Sequence, residues 1–157
     1  MPTMSMLYRN VIEEFPKEFF EVSGEDVFIS SILGHYGKGL FQSEINKSVH
    51  LVHKNGIFSG LSSKGKKYDM LNNQEKILKY YERVNCEAMS DYFSKEVVNR
   101  IRSIVCLDIS NGKYWTATRE YVENIRRVFE LGGARGVLRL SCQLLRFSFG
   151  QLLSRRG

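Results

Sequence analysis

The chain has 157 residues with 43% hydrophobic and 12% aromatic content, enough for one domain with a core and too apolar for a disordered tail. Its net charge of +6 invites anionic partners: phosphorylated ligands, nucleic acid or an acidic membrane face. Cys86, Cys106 and Cys142 lie far apart without zinc-type ligand spacing, so they read as buried thiols in a reducing, cytoplasmic setting, with neither a signal-peptide pattern nor an apolar run long enough to cross a bilayer.

The first ten residues, "MPTMSMLYRN", read as loop and extended chain. In "VIEEFPKEFFEV" Pro16 breaks any helix. "GEDVFISSILGHYGKG" then opens with an adjacent acid pair, Glu25 and Asp26, ahead of apolar residues at 27, 28, 32 and 33. That spacing predicts a short amphipathic helix with Gly37 as its C-cap. Two extended pieces are expected near 39–45 and 48–53, and "KNGIFSGLSSKGKK" reads as a polar loop. From Tyr68 the pattern turns helical, with Met70, Leu71, Ile77, Leu78 and Tyr81 on one side. Two further helices follow, separated by Asn111-Gly112; Gly132-Gly133 breaks the chain again before a last amphipathic helix.

Two readings of the acid pair stand side by side. Ser23 as N-cap with Asp26 at the third helical position resembles a capping box, and acids in a first turn interact favourably with the helix dipole. A carboxylate on a rigid helix start can also take a proton from a hydroxyl nucleophile.

The order of these pieces resembles the C-terminal half of the catalytic domain of bacterial family 2 glycosyltransferases, which have the GT-A fold. The resemblance rests on Pro2-Thr3-Met4-Ser5-Met6-Leu7-Tyr8-Arg9-Asn10, on Gly24-Glu25-Asp26, on Tyr36-Gly37-Lys38, and on the run from His50 to Ser62. It covers about residues 2–83 and implies a partial GT-A-like α/β segment with short strands over residues 1–62, while the helical spacing that follows predicts a mostly α-helical region over 63–157. It implies sugar transfer from a nucleotide-sugar donor to a saccharide or lipid-linked acceptor in surface polysaccharide assembly. Asp26 would be the catalytic base, with Glu25, His53, Arg9 and Gly56 on the acceptor or donor side. A full-length member would use a divalent cation, Mg or Mn. The sequence departs from the pattern at His50 and Leu51, and no D-x-D occurs among its four aspartates. A truncation, a split enzyme whose N-terminal half is on another chain, and a diverged half-domain with a membrane or partner-binding role remain the alternatives. No metal site is expected in this chain.

The last helix carries a second expectation. At about 100° per residue, Arg135, Arg139 and Arg146 form one stripe, and Val137, Leu140, Leu144, Leu145, Phe147 and Leu152 the opposite face. Such a helix suits an acidic membrane surface, or else packing on the core with arginines in solvent. Nucleic acid is disfavoured, because no motif interleaves aromatics with the basic residues.

Overall fold

The computed structural model describes residues 11–34, 36–38 and 59–154, with side chains omitted at 143 and 146–154. Its elements in chain order are a 3-10 turn (Lys17–Glu21), α1 (Glu25–Leu33), α2 (Ser63–Arg83), α3 (Glu87–Ser110) and α4 (Tyr114–Ser154).

Local chemistry sets the boundaries. Pro16 holds extended backbone immediately before the 3-10 turn. Helix α1 ends at Gly34 rather than at the expected Gly37. Helix α2 starts at Ser63, inside the stretch expected to be loop, because the Ser62 side chain accepts the Gly65 N–H at 3.0 Å. At its end Asn85 turns to φ 55°, and the Cys86 N–H bonds back to the Tyr81 carbonyl at 3.0 Å. The end of α3 repeats this device: Gly112 sits at φ 71°, and the Lys113 N–H reaches the Asp108 carbonyl at 2.8 Å. Both patterns satisfy the last carbonyls of a helix, and each requires a residue that tolerates left-handed backbone.

Helix α4 is a hairpin. Gly133 breaks it with φ 60° and ψ −166°, a combination open essentially to glycine alone. Along a straight helix Tyr121 and Ser141 would be about 30 Å apart, yet their hydroxyls are hydrogen-bonded at 2.7 Å. Gly136 lies against both Val128 and Val98, close enough that a Cβ there would meet the Val128 side chain at 3.3 Å. The first arm, residues 114–132, and the second, 134–154, therefore run antiparallel, with Val98 of α3 beneath the turn.

Helix α3 lies centrally, packed against α2 on one side and α4 on the other. The core runs through all four helices: Phe28 of α1, Ile77 and Tyr81 of α2, Val97, Ile101 and Val105 of α3, and Val128 and Leu140 of the two α4 arms. Burying each large side chain contributes about 1.5–3 kcal/mol. The N-terminal segment closes one end with rings. Phe15 stacks on Phe19, Phe19 meets Phe28 edge-on, and Phe28 touches Tyr80. Glu18, fully buried, accepts two hydrogen bonds from Arg83 at 2.8 and 2.9 Å. Cys86 and Cys106 are half-buried and burial pushes the Cys106 thiol up, whereas Cys142 is exposed, against the expectation of three buried thiols.

These observations correct the expected α/β fold. Among the described residues every regular element is helical and no strand occurs. The expected extended pieces at 39–45 and 48–53 lie outside the described residues. The flanking parts of the proposed GT-A-like segment do not belong to a sheet: Phe28 and Ile32, one turn apart on α1, are buried in the helical core. A strand is stabilised only by a neighbour to pair with, and residues 11–34 pack by side chains onto α2 instead.

Candidate functional site

The acid pair opens α1, but among the described residues no constellation gathers around it. Glu25 is exposed and Asp26 half-buried in the first turn, with Gly24 as N-cap. Ser23 does not cap the helix. Its N–H and hydroxyl go to the Asn73 side chain at 3.0 and 3.1 Å, and the hydroxyl also donates to Asp69, tethering α1 to α2. The one described bond at Asp26 is to its backbone carbonyl, from the Ser30 hydroxyl at 2.6 Å. Arg9, His53 and Gly56 lie outside the described residues, so nothing places them beside Asp26. Among the described residues no group of three or more His, Cys, Asp or Glu side chains is placed to hold a metal ion.

The most developed polar cluster is structural in its contacts. Asp108 of α3 is 1% exposed and accepts from Lys64 at 2.7 Å; Lys64 also donates to Glu120 at 3.0 Å, and Glu120 accepts from the Tyr68 hydroxyl. Burial opposes the Lys64 charge, but the bonds to Asp108 and Glu120 outweigh it and hold its pKa above the ordinary lysine value. Burial, with Glu120 as second cause, pushes the Tyr68 hydroxyl up to about 12. One cation thus ties the start of α2 to the end of α3 and the start of α4. Between α2 and the first arm of α4 runs an open groove of about 560 Å³. The Glu75–Arg127 pair beside it closes at 3.0 Å, with acids and bases matched in number along its walls.

The unmatched feature is the outward side of the α4 hairpin. In the first arm Ala117 and Val128 face inward, which leaves Trp115, Val122 and Phe129 outward at 87%, 61% and 59% exposure. They recur every seventh residue and so form one stripe. In the second arm Leu140 is buried, with Val137 and Leu144 packed against the core, while Leu138 and Leu145 stand 62% and 56% exposed. The Tyr121–Ser141 bond relates the two sets: Val122 adjoins Tyr121, and Leu138 and Leu145 stack three residues before and four after Ser141. The exposed leucines therefore lie on the flank of the second arm that borders the first.

Charge divides this face. In the first arm Arg119 pairs with Glu123 at 2.7 Å and Arg126 with Glu130 at 2.8 Å. In the second, Arg135 and Arg139 are exposed, and no acid occurs anywhere from 131 to 157. Arg146 lies within α4, but its side chain is outside the described ones.

The expected lipid-facing set is thereby redistributed. Val137, Leu140 and Leu144 are engaged with the core, Leu145 alone of the described members is exposed, and the side chains of Phe147 and Leu152 are not among those described. The stripe of Trp115, Val122 and Phe129 was not anticipated, although its seven-residue spacing is visible in the sequence. No family model, curated protein or solved structure matches the chain. The glycosyltransferase reading is overturned by the all-helical fold of the described residues, which contain no GT-A sheet. No described helix is long and apolar enough to cross a membrane.

Proposed function

We propose that the chain is a helical module that docks peripherally on anionic membrane surfaces through the outward face of the α4 hairpin. The observation that carries this reading is the composition of the second arm: Leu138 and Leu145 exposed beside Arg135 and Arg139, in a segment with no acid. Exposed leucines gain by entering the acyl boundary, and arginines beside them meet phosphate head groups. Trp115, 87% exposed, is the residue type that settles at a membrane–water interface. The overall charge of +6 adds long-range attraction.

Flotation with vesicles tests the reading. The chain should bind vesicles containing phosphatidylglycerol and ignore pure phosphatidylcholine, and binding should fall when salt is raised, because head-group attraction is screened. Each juxtamembrane arginine contributes about 1 kcal/mol, so Arg135→Glu with Arg139→Glu should weaken binding at least about tenfold. Equal binding to neutral vesicles, or unchanged binding by that double variant, would overturn it.

A further inference from the structure

Off the membrane, a tryptophan, a valine and a phenylalanine aligned on one side of the first arm remain in water, and burying them against another surface would be favourable. We infer that in solution the first arm of α4 pairs antiparallel with the first arm of a second copy of the chain, burying Val122 and Phe129. The inference rests on the docking reading only in assigning the outward face to binding; the pairing itself needs no lipid.

The charges beside the stripe identify the occupant. Arg119, Glu123, Arg126 and Glu130 lie along a single flank, next to the apolar stripe and exposed. Their spacing is symmetric, four residues from 119 to 123 and four from 126 to 130. When two such helices pair antiparallel about a two-fold axis, each flank meets the same flank of the other copy. One register then places Arg119 opposite the partner's Glu130 and Glu123 opposite the partner's Arg126, with both symmetric counterparts, so every charge faces its opposite. In that register Val122 falls at a height between the partner's Ile125 and the partner's Phe129. A parallel pairing instead brings the charged flank against the partner's Thr118 and Ile125, where the four charges keep their i,i+4 pairs but gain no opposite charge across the seam, so the antiparallel pairing is favoured.

The second arm cannot be self-complementary in this way. Arg135 and Arg139 have no acid in their arm to meet. The two arms are thus suited to different occupants, and charge decides between them. In this register the two arms overlap over about 16 residues, some 24 Å, which buries less than a standard stable interface. Association should therefore be half complete on the order of 10–100 μM.

Sedimentation equilibrium of the full chain without lipid, between low micromolar and several hundred micromolar, reads the association directly. A reversible dimer is expected. Phe129→Glu should weaken it at least about tenfold, since apolar anchors dominate such interfaces. Glu123→Arg places like charges opposite the partner's Arg126 at two symmetric points, so it should also favour the monomer. The same change adds positive charge and frees the apolar stripe, so binding to phosphatidylglycerol vesicles should be kept or strengthened. Arg135→Glu with Arg139→Glu should behave the opposite way, keeping the dimer and losing the vesicles, which separates failure of this inference from failure of the docking reading. Orientation is read by a short bis-maleimide in a Cys142→Ser background. Val122→Cys should cross-link, its two copies being offset by only about 7 Å along the helix, whereas Trp115→Cys, offset by about 28 Å, should not. A monomer at several hundred micromolar, or cross-linking through Trp115→Cys, overturns the proposal. Should Phe129→Glu lose its helical circular dichroism, the cross-linking pair still decides.

Discussion

In the first arm of α4 each outward arginine has a glutamate one turn further on, at 2.7 and 2.8 Å, whereas Arg135 and Arg139 in the second arm have no acid within reach of their own segment. Both arms bury one side and leave large apolar residues on the other, so packing does not distinguish them. The difference lies in the charges set beside the same kind of apolar surface. Balanced charge in a symmetric spacing suits a copy of itself; unbalanced positive charge suits a phosphate-rich surface. The N-terminal segment shows the third way a charge can be used, for Glu18 and Arg83 are paired where the carboxylate is fully buried, fixing that segment to α2.

The comparison breaks first if the second arm is not part of the core. Leu140→Ala should lower stability by about 2–5 kcal/mol in urea unfolding, the range for truncating a buried leucine. Leu138→Ala, on the exposed side of the same arm, should stay within about 0.5 kcal/mol of the parent. Equal, small effects would mean that the second arm does not pack on α3.

The hairpin itself can be attacked at Gly133. Its backbone conformation excludes side chains, while no atom lies within 4 Å of where a Cβ would be. Gly133→Ala should therefore cost about 1–3 kcal/mol through backbone strain alone. D-alanine at the same position, introduced by chemical ligation, should restore the loss, because the mirror-image residue tolerates positive φ. Failure of that rescue would point to a steric cause.

Glu18 sharpens the contrast between buried and exposed pairs. The hydrogen bond from Arg83 holds its carboxyl below the ordinary 4.5 despite burial, which acts the other way. A carboxyl whose pKa is lower in the folded chain stabilises it fully above the unfolded value, and this contribution is lost as pH falls through the folded value. Stability should thus decline below about pH 4.5 in part through this group. Glu18→Gln should lower stability by about 1–3 kcal/mol at neutral pH and flatten that acid limb. Acid unfolding identical to the parent's would remove Glu18 from the account.

The smallest effect belongs to the exposed pairs. Arg126→Ala removes a pair whose side chains are 90% and 56% exposed, and should change monomer stability by no more than about 0.3–0.5 kcal/mol. A larger loss, measured at low protein concentration, would mean that these charges serve the fold and not its surface.

The helices from Tyr68 onward were legible because their apolar residues recur with helical spacing, and the breaks at Asn111-Gly112 and Gly132-Gly133 because glycine marks left-handed backbone. Residues 24–38 misled for a physical reason. A nine-residue helix flanked by glycines suits an α/β unit and a helical bundle equally well, and short motifs in a plausible order do not show what the helix packs against. Ser23 illustrates the limit: beside an acid pair it reads as a cap, yet Asn73 and Asp69, some fifty residues away in sequence, take its hydrogen bonds.

The sequence by itself determined the positive charge, the acid-free end and the seven-residue spacing of Trp115, Val122 and Phe129, since these depend only on residue identity and order. Tertiary structure decided which of the apolar residues remain outside. Leu140 and Leu145 belong to one helical pattern, but α3 and the first arm cover one and leave the other, because a hairpin closed at Gly133 offers only one side of each arm to the core. Burial is a property of what lies opposite a side chain, and no local spacing carries that information.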